Sequence, residues 1–167
     1  MRNIFCVRIN LLLSLVMALI PNAAHAANSC AVDTAHLSLG GINVLTGTPV
    51  DTVGGPIQVD CTGDSGTVNL SIGINAGAGL GASEATRYMT LMGGAGGQLS
   101  YSLYSSSANR SGGVYWGSSG ASLYTPSITV SNNSGSGSYS VYGRVFGGQQ
   151  TARSGTYTDT LTITVSY

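Results

Sequence analysis

Ser65 and His36 are the residues of this 167-residue chain whose types and order most invite a catalytic reading. Ser65 lies in Cys61-Thr62-Gly63-Asp64-Ser65-Gly66, and His36 closes Thr34-Ala35-His36 upstream of it. A serine hydroxyl becomes a nucleophile when an imidazole takes its proton and an acid holds that imidazole in the right tautomer. No acid is identifiable for the third role. The alternative is that Gly63, Asp64, Ser65 and Gly66 form a turn between two strands, as their propensities favour. That reading is preferred.

The two segments resemble the nucleophile and histidine segments of chymotrypsin-like serine proteases. That family assembles its triad between two six-stranded barrels, with the serine far downstream of the histidine. Here Ser65 follows His36 by only 29 residues, and one short domain must hold everything. Other catalytic patterns are weaker. Asp33, Asp51, Asp60, Asp64, Glu84 and Asp159 show no paired spacing of the kind a glycosidase needs. The glycine-rich stretches lack the Lys-Ser/Thr ending of a phosphate loop. The expectation is a chain that is not an enzyme and carries no cofactor.

The first 26 residues are read as a secretory signal. Arg2 and Arg8 precede an apolar run at 11–20, and Ala24-His25-Ala26 has the small-x-small form of a cleavage site. The run is too short to span a bilayer, and no longer one follows. The expected product is a single exported domain, 27–167, with no transmembrane segment. Its cysteines are Cys30 and Cys61, an even pair in an oxidising compartment, which reads as one disulfide. Two cysteines and His36 are too few ligands for a metal site.

Charge excludes a further class. The chain has no lysine, and beyond the signal only Arg87, Arg110, Arg144 and Arg153 face six acids. Without a basic patch, nucleic acid is not an expected partner.

The positioning elements are short alternating runs between glycine-rich breaks. They are His36–Gly40, Pro56–Cys61, Val68–Asn75, Gln98–Tyr104, Ser127–Ser131, Tyr139–Val145 and Leu161–Tyr167. A period of two marks half-buried strands, and seven of them indicate an antiparallel β-sandwich. Residues 82–92 come nearest to a helix but are hemmed in by glycines. The stretches 93–97 and 131–138 read as turns. Tyr115-Trp116, near Tyr104 and Tyr124, is either a plug at one end of the sandwich or an aromatic surface contact, for example with a sugar ring.

Four features together resemble the spore coat protein U domain family, which includes subunits of archaic chaperone–usher pili of the Csu type. They are the early Cys30 followed by Leu39-Gly40, the strand ending in Cys61-Thr62, Tyr101–Tyr104 leading to Trp116-Gly117, and the closing SGTYTDTLTITVSY. The resemblance implies an incomplete immunoglobulin-like sandwich lacking its last strand. In that case Leu161, Ile163, Val165 and Tyr167 border a groove that takes a strand from a periplasmic chaperone and later from a neighbouring subunit. The implied partners are that chaperone, an outer-membrane usher and other pilus subunits, on a path through the periplasm to the cell surface.

A flat, uncharged terminal strand is an edge that soluble monomers normally blunt, and strand addition would cover it. Cleavage after Ala26 would leave three residues before Cys30, fewer than the roughly ten that a donated arm requires. This favours a tip or minor subunit over a repeating one. The competing readings are a free-standing coat or matrix protein and a carbohydrate-binding module using Tyr115 and Trp116.

Overall fold

The computed structural model describes residues 28–34, 37–43, 47–93 and 96–167. It is an antiparallel β-structure of two layers. The larger sheet has six strands in the order β1-β2-β8-β6-β5-β9. These are β1 (Ser29–Thr34), β2 (Val50–Thr62), β5 (Arg87–Leu91), β6 (Gln98–Tyr104), β8 (Ser134–Val145) and β9 (Tyr157–Thr158). The facing layer is built from β3 (Gly66–Asn69), β4 (Ser71–Ile74), β7 (Ser127–Val130) and β10 (Ile163–Ser166), paired β10-β4 and β3-β7.

The second layer behaves as three strands. β3 and β4 form one extended run, interrupted at Leu70. Leu70 N–H donates to the carbonyl of Pro126 at 2.8 Å, but Pro126 has no N–H to return. Pairing resumes where Ile72 and Tyr124 exchange backbone bonds of 2.8 and 3.1 Å. β4 is therefore central, with β10 on one side and residues 124–126 on the other.

Alternation built the core. Ile57, Val59 and Cys61 of β2, Val141 and Val145 of β8, and Leu99, Tyr101 and Leu103 of β6 point inward. They meet Val68, Leu70, Ile72, Ile74, Ile128 and Val130 of the facing layer. The disulfide closes between Cys30 and Cys61, which stand directly opposite each other in the β1–β2 register.

The structure departs from the sequence reading at several places. Leu37–Gly40 is not a strand, and the first strand is Ser29–Thr34. Only Asn132 and Asn133, both with positive φ, form the turn expected over 131–138. From Ser134 the chain already runs in β8, whose glycines allow close approach, as at Gly137 beneath the Tyr139 ring. Arg87–Leu91 is a strand, concealed in the sequence because one of its inward positions is an arginine.

A short helix, α1 (Ser107–Gly112), lacks any apolar stripe. It is set by its ends. Ser106 caps its start by accepting from Asn109 N–H at 3.0 Å, and Gly113 leaves it with φ 73°. Among the described residues no helix is long and apolar enough to cross a membrane.

Candidate functional site

Of the two residues first suspected of catalysis, only Ser65 lies among the described residues. Ser65 is exposed in the bend at 63–65 that links β2 to β3, as the turn reading expects. His36 lies outside the described residues, as does the signal segment. Among the described residues no group of three His, Cys, Asp or Glu could hold a metal ion.

Trp116 is 1% exposed and forms a plug. Its indole Nε1 donates to the Ile72 carbonyl at 2.7 Å, and its ring meets Tyr124 edge-on at 5.3 Å. It has no face to offer a surface ligand, which corrects the surface-contact alternative for this residue. Tyr115 beside it is exposed.

A concavity among the described residues lies between the two layers. It is a groove of about 1420 Å³ whose floor is the inner face of the six-stranded sheet, at Met89, Leu99, Tyr101, Leu103 and Val141. One wall is the segment 37–43 with Gly55 and Pro56 of β2, and the other is the run 152–163 that leads into β10.

Three devices hold the second wall. Asp159 accepts hydrogen bonds from Tyr101 Oη at 2.7 Å, Ala78 N–H at 2.8 Å and Thr160 N–H at 2.7 Å. The Asn75 side-chain oxygen accepts from Thr162 N–H at 2.9 Å and Gly77 N–H at 3.1 Å, while Asn75 N–H donates to the Thr162 carbonyl at 3.1 Å. The Tyr157 hydroxyl closes the loop at Arg153, accepting from its N–H at 2.9 Å and donating to its carbonyl at 2.8 Å. Gly77 is required here. Its φ is +86°, and a Cβ would stand 2.1 Å from an Asp159 oxygen. Burial, with the Asp159 bond second, pushes the Tyr101 phenol far above its ordinary 10.0.

Beneath this wall lies Arg87, 0% exposed. Its guanidinium donates to four backbone carbonyls: Asn75 at 2.8 Å, Glu84 at 2.6 Å, Ile74 at 2.9 Å and Trp116 at 2.7 Å. One side chain thus ties the end of β4 to two loops. Burial lowers its pKa, and Tyr101, Glu84 and Asp159 oppose that shift.

The first wall is held differently. Leu37 and Leu39 pack against the core where the larger sheet has glycines in place of side chains. A Cβ at Gly54 would fall 1.5 Å from Leu37 Cδ1, and one at Gly143 would fall 2.7 Å from Leu39 Cδ2. Among the described residues the backbone of 37–42 pairs with no strand.

The terminal apolar set is brought to the groove in part. Leu161, Ile163 and Val165 are half-buried and pack against the core, while Tyr167 is 57% exposed. Antiparallel alternation orients the backbone of β10. Ile72 and Ile74 donate their N–H groups away from β10, to Tyr124 and Gly117. Their partners in register, Val165 and Ile163, therefore turn their own N–H and C=O groups outward. No strand meets that outer edge among the described residues.

Of the terminal set named from the sequence, Leu161 and Ile163 line the groove and Val165 and Tyr167 do not; Tyr101, Asp159, Asn75 and Arg87, which hold the groove, were missed. The one available signal was Asp159, a lone acid within an otherwise uncharged closing run.

The chain can be compared with known proteins on this footing. A search of curated proteins finds no match. Among solved structures, the chain is similar to one in the crystal structure of the CsuC–CsuE chaperone–tip adhesion subunit pre-assembly complex from archaic chaperone–usher Csu pili of Acinetobacter baumannii. The TM-score is 0.53 at 19% identity, which speaks for the fold. The match covers 84% of this chain and 40% of that one, so this chain spans two-fifths of its neighbour. The family description Spore Coat Protein U domain matches residues 16–164, nearly the whole sequence. The chain belongs to the spore coat protein U domain family.

Proposed function

We propose that this protein is a non-catalytic subunit of a surface pilus assembled by the chaperone–usher pathway, and that its groove accepts a β-strand from another polypeptide. The observation that carries this reading is the edge of β10 that no described strand covers, beside a groove with an apolar floor, with Ile163 and Val165 directing backbone groups outward. Such groups need partners, and a strand laid along β10 would supply them while its side chains filled the groove. Leu161, Ile163 and Val165 form the acceptor face, with Tyr167 at its margin. A periplasmic chaperone gives the strand first and a neighbouring subunit replaces it, with an outer-membrane usher as the assembly site. The protein is exported through the periplasm to the cell surface.

A tip or minor role belongs to the same reading. Ser29–Thr34 is already committed to the larger sheet beside β2 and is locked there by Cys30, so these residues cannot be lent to another subunit. Growth of long fibres from the purified protein alone would overturn that part.

A second reading, a free-standing secreted protein, draws support from Leu37 and Leu39, which already cover part of the core from within. Co-expression with a periplasmic pilus chaperone separates the two. The subunit reading expects the chaperone to co-purify with the protein and to raise its soluble yield severalfold over the small amount recovered alone, and the free-standing reading expects the same yield of soluble monomer without the chaperone.

A further inference from the structure

The groove has a charge preference as well as a shape. We propose that the strand it receives carries an acidic residue at the end lying against residues 152–157, where that residue pairs with Arg153. This rests on the strand-acceptor reading above.

Positive charge is scarce in this protein. The chain has no lysine and, beyond the first 26 residues, four arginines. Three are committed within the fold. Arg87 is used up on four carbonyls. Arg144 grips Asp51 with bonds of 2.7 and 2.9 Å. Arg110 faces Asp51 at 3.3 Å and donates to the Thr52 carbonyl at 2.9 Å.

Arg153 is different. It borders the groove, its side chain is exposed, and among the described residues its guanidinium has no acceptor. Its backbone is nonetheless fixed, because the Tyr157 hydroxyl holds both its N–H and its carbonyl, and the Tyr157 ring packs on the core. A cation is thus anchored at the rim of the groove while its head remains unpaired. The acid bordering the groove, Asp159, does not compensate it, since three donors already converge on that carboxylate.

A strand with a carboxylate at this end gains a charge-assisted pair, and one with an ammonium there is repelled. The apolar floor sets affinity for any alternating strand, and the rim selects among such strands. The pair is exposed, so its effect is modest, about 2–5-fold in Kd at low salt, and fades near 1 M, where the screening length is about 3 Å.

The test uses the full exported chain with its disulfide intact, and synthetic peptides of about ten residues alternating valine and threonine. Three versions carry Asp, Asn or Lys at the first position, and three carry them at the last. Titration calorimetry at low and high salt is run on the wild type and on Arg153→Gln.

The expected result is that at one end the Asp peptide binds about 2–5-fold tighter than the Asn peptide, and the Lys peptide more weakly than both. The ranking is lost in Arg153→Gln and in about 1 M salt. Equal binding of Asp and Asn peptides at both ends, or a ranking that survives Arg153→Gln, overturns the charge proposal and leaves the acceptor reading standing. Failure of every peptide to bind overturns both.

Discussion

Tyr101 donates its phenolic hydrogen to Asp159 at 2.7 Å, joining residues 58 apart in the chain. The bond fastens the wall that leads into β10 to the floor of the groove. Tyr101→Phe keeps the ring and removes the bond, leaving Asp159 its two backbone donors. The expected loss is about 1.5–3 kcal/mol, the range for a hydrogen bond to a charged group, read from denaturant midpoints. Amide exchange should quicken across 159–166 more than in β2.

The same pair predicts an alkaline limb. Burial raises the folded pKa of Tyr101 above its ordinary 10.0, so the neutral phenol is favoured in the folded state. The associated stability is complete below pH 10 and is lost as the pH rises beyond it. Wild type should therefore lose stability above pH 10 more steeply than Tyr101→Phe, as unfolding midpoints against pH would show.

Arg87→Met tests the buried cation. The substitution leaves the carbonyls of Ile74, Asn75, Glu84 and Trp116 without this donor. At roughly 1–3 kcal/mol for each buried group left unsatisfied, the loss should exceed about 3 kcal/mol. Arg87→Lys should recover only part of it, because an ammonium cannot spread over four acceptors as a planar guanidinium does. Recovery to wild-type stability by lysine would refute the geometry.

Reduction of Cys30–Cys61 opens a loop closed over 31 residues of separation. The chain-entropy estimate is about 3–4 kcal/mol, and the paired Cys→Ser variant should lose a similar amount. Equal midpoints for oxidised and reduced protein would contradict it.

Asp51 sets the acid limb. Its hydrogen bonds from Arg144 come first in holding its carboxyl below the ordinary 3.8, with Arg110 adding to the effect. Its stability is present above pH 3.8 and is lost as the pH falls through the lowered folded value. Asp51→Asn should flatten the stability profile below pH 3.8, and the effect should be modest because the carboxylate is partly exposed.

Much of this fold was legible because alternation alone specifies a strand and its buried face. β2, β6, β7, β8 and β10 all lie within or across runs whose period of two is visible in the sequence. What escaped notice did so for physical reasons. Arg87 occupies an inward position that hydropathy assigns to solvent, and only four carbonyls converging from distant loops make it tolerable there. Leu37 and Leu39 alternate like a strand, yet they answer to glycine notches at Gly54 and Gly143 that no local pattern announces. Trp116 carries an aromatic surface signal, but its indole N–H finds a carbonyl 44 residues away. The groove likewise depends on contacts of long sequence separation.

Amide exchange at Ile163 and Val165 tests the central claim most directly. Both N–H groups face the edge of β10 that no described strand covers, so they should exchange rapidly when the protein is alone. They should become strongly protected once a chaperone or strand peptide is bound, while the Thr164 and Ser166 amides change far less. Protection of Ile163 and Val165 already present in the isolated monomer, or unchanged rapid exchange in the complex, would contradict the account.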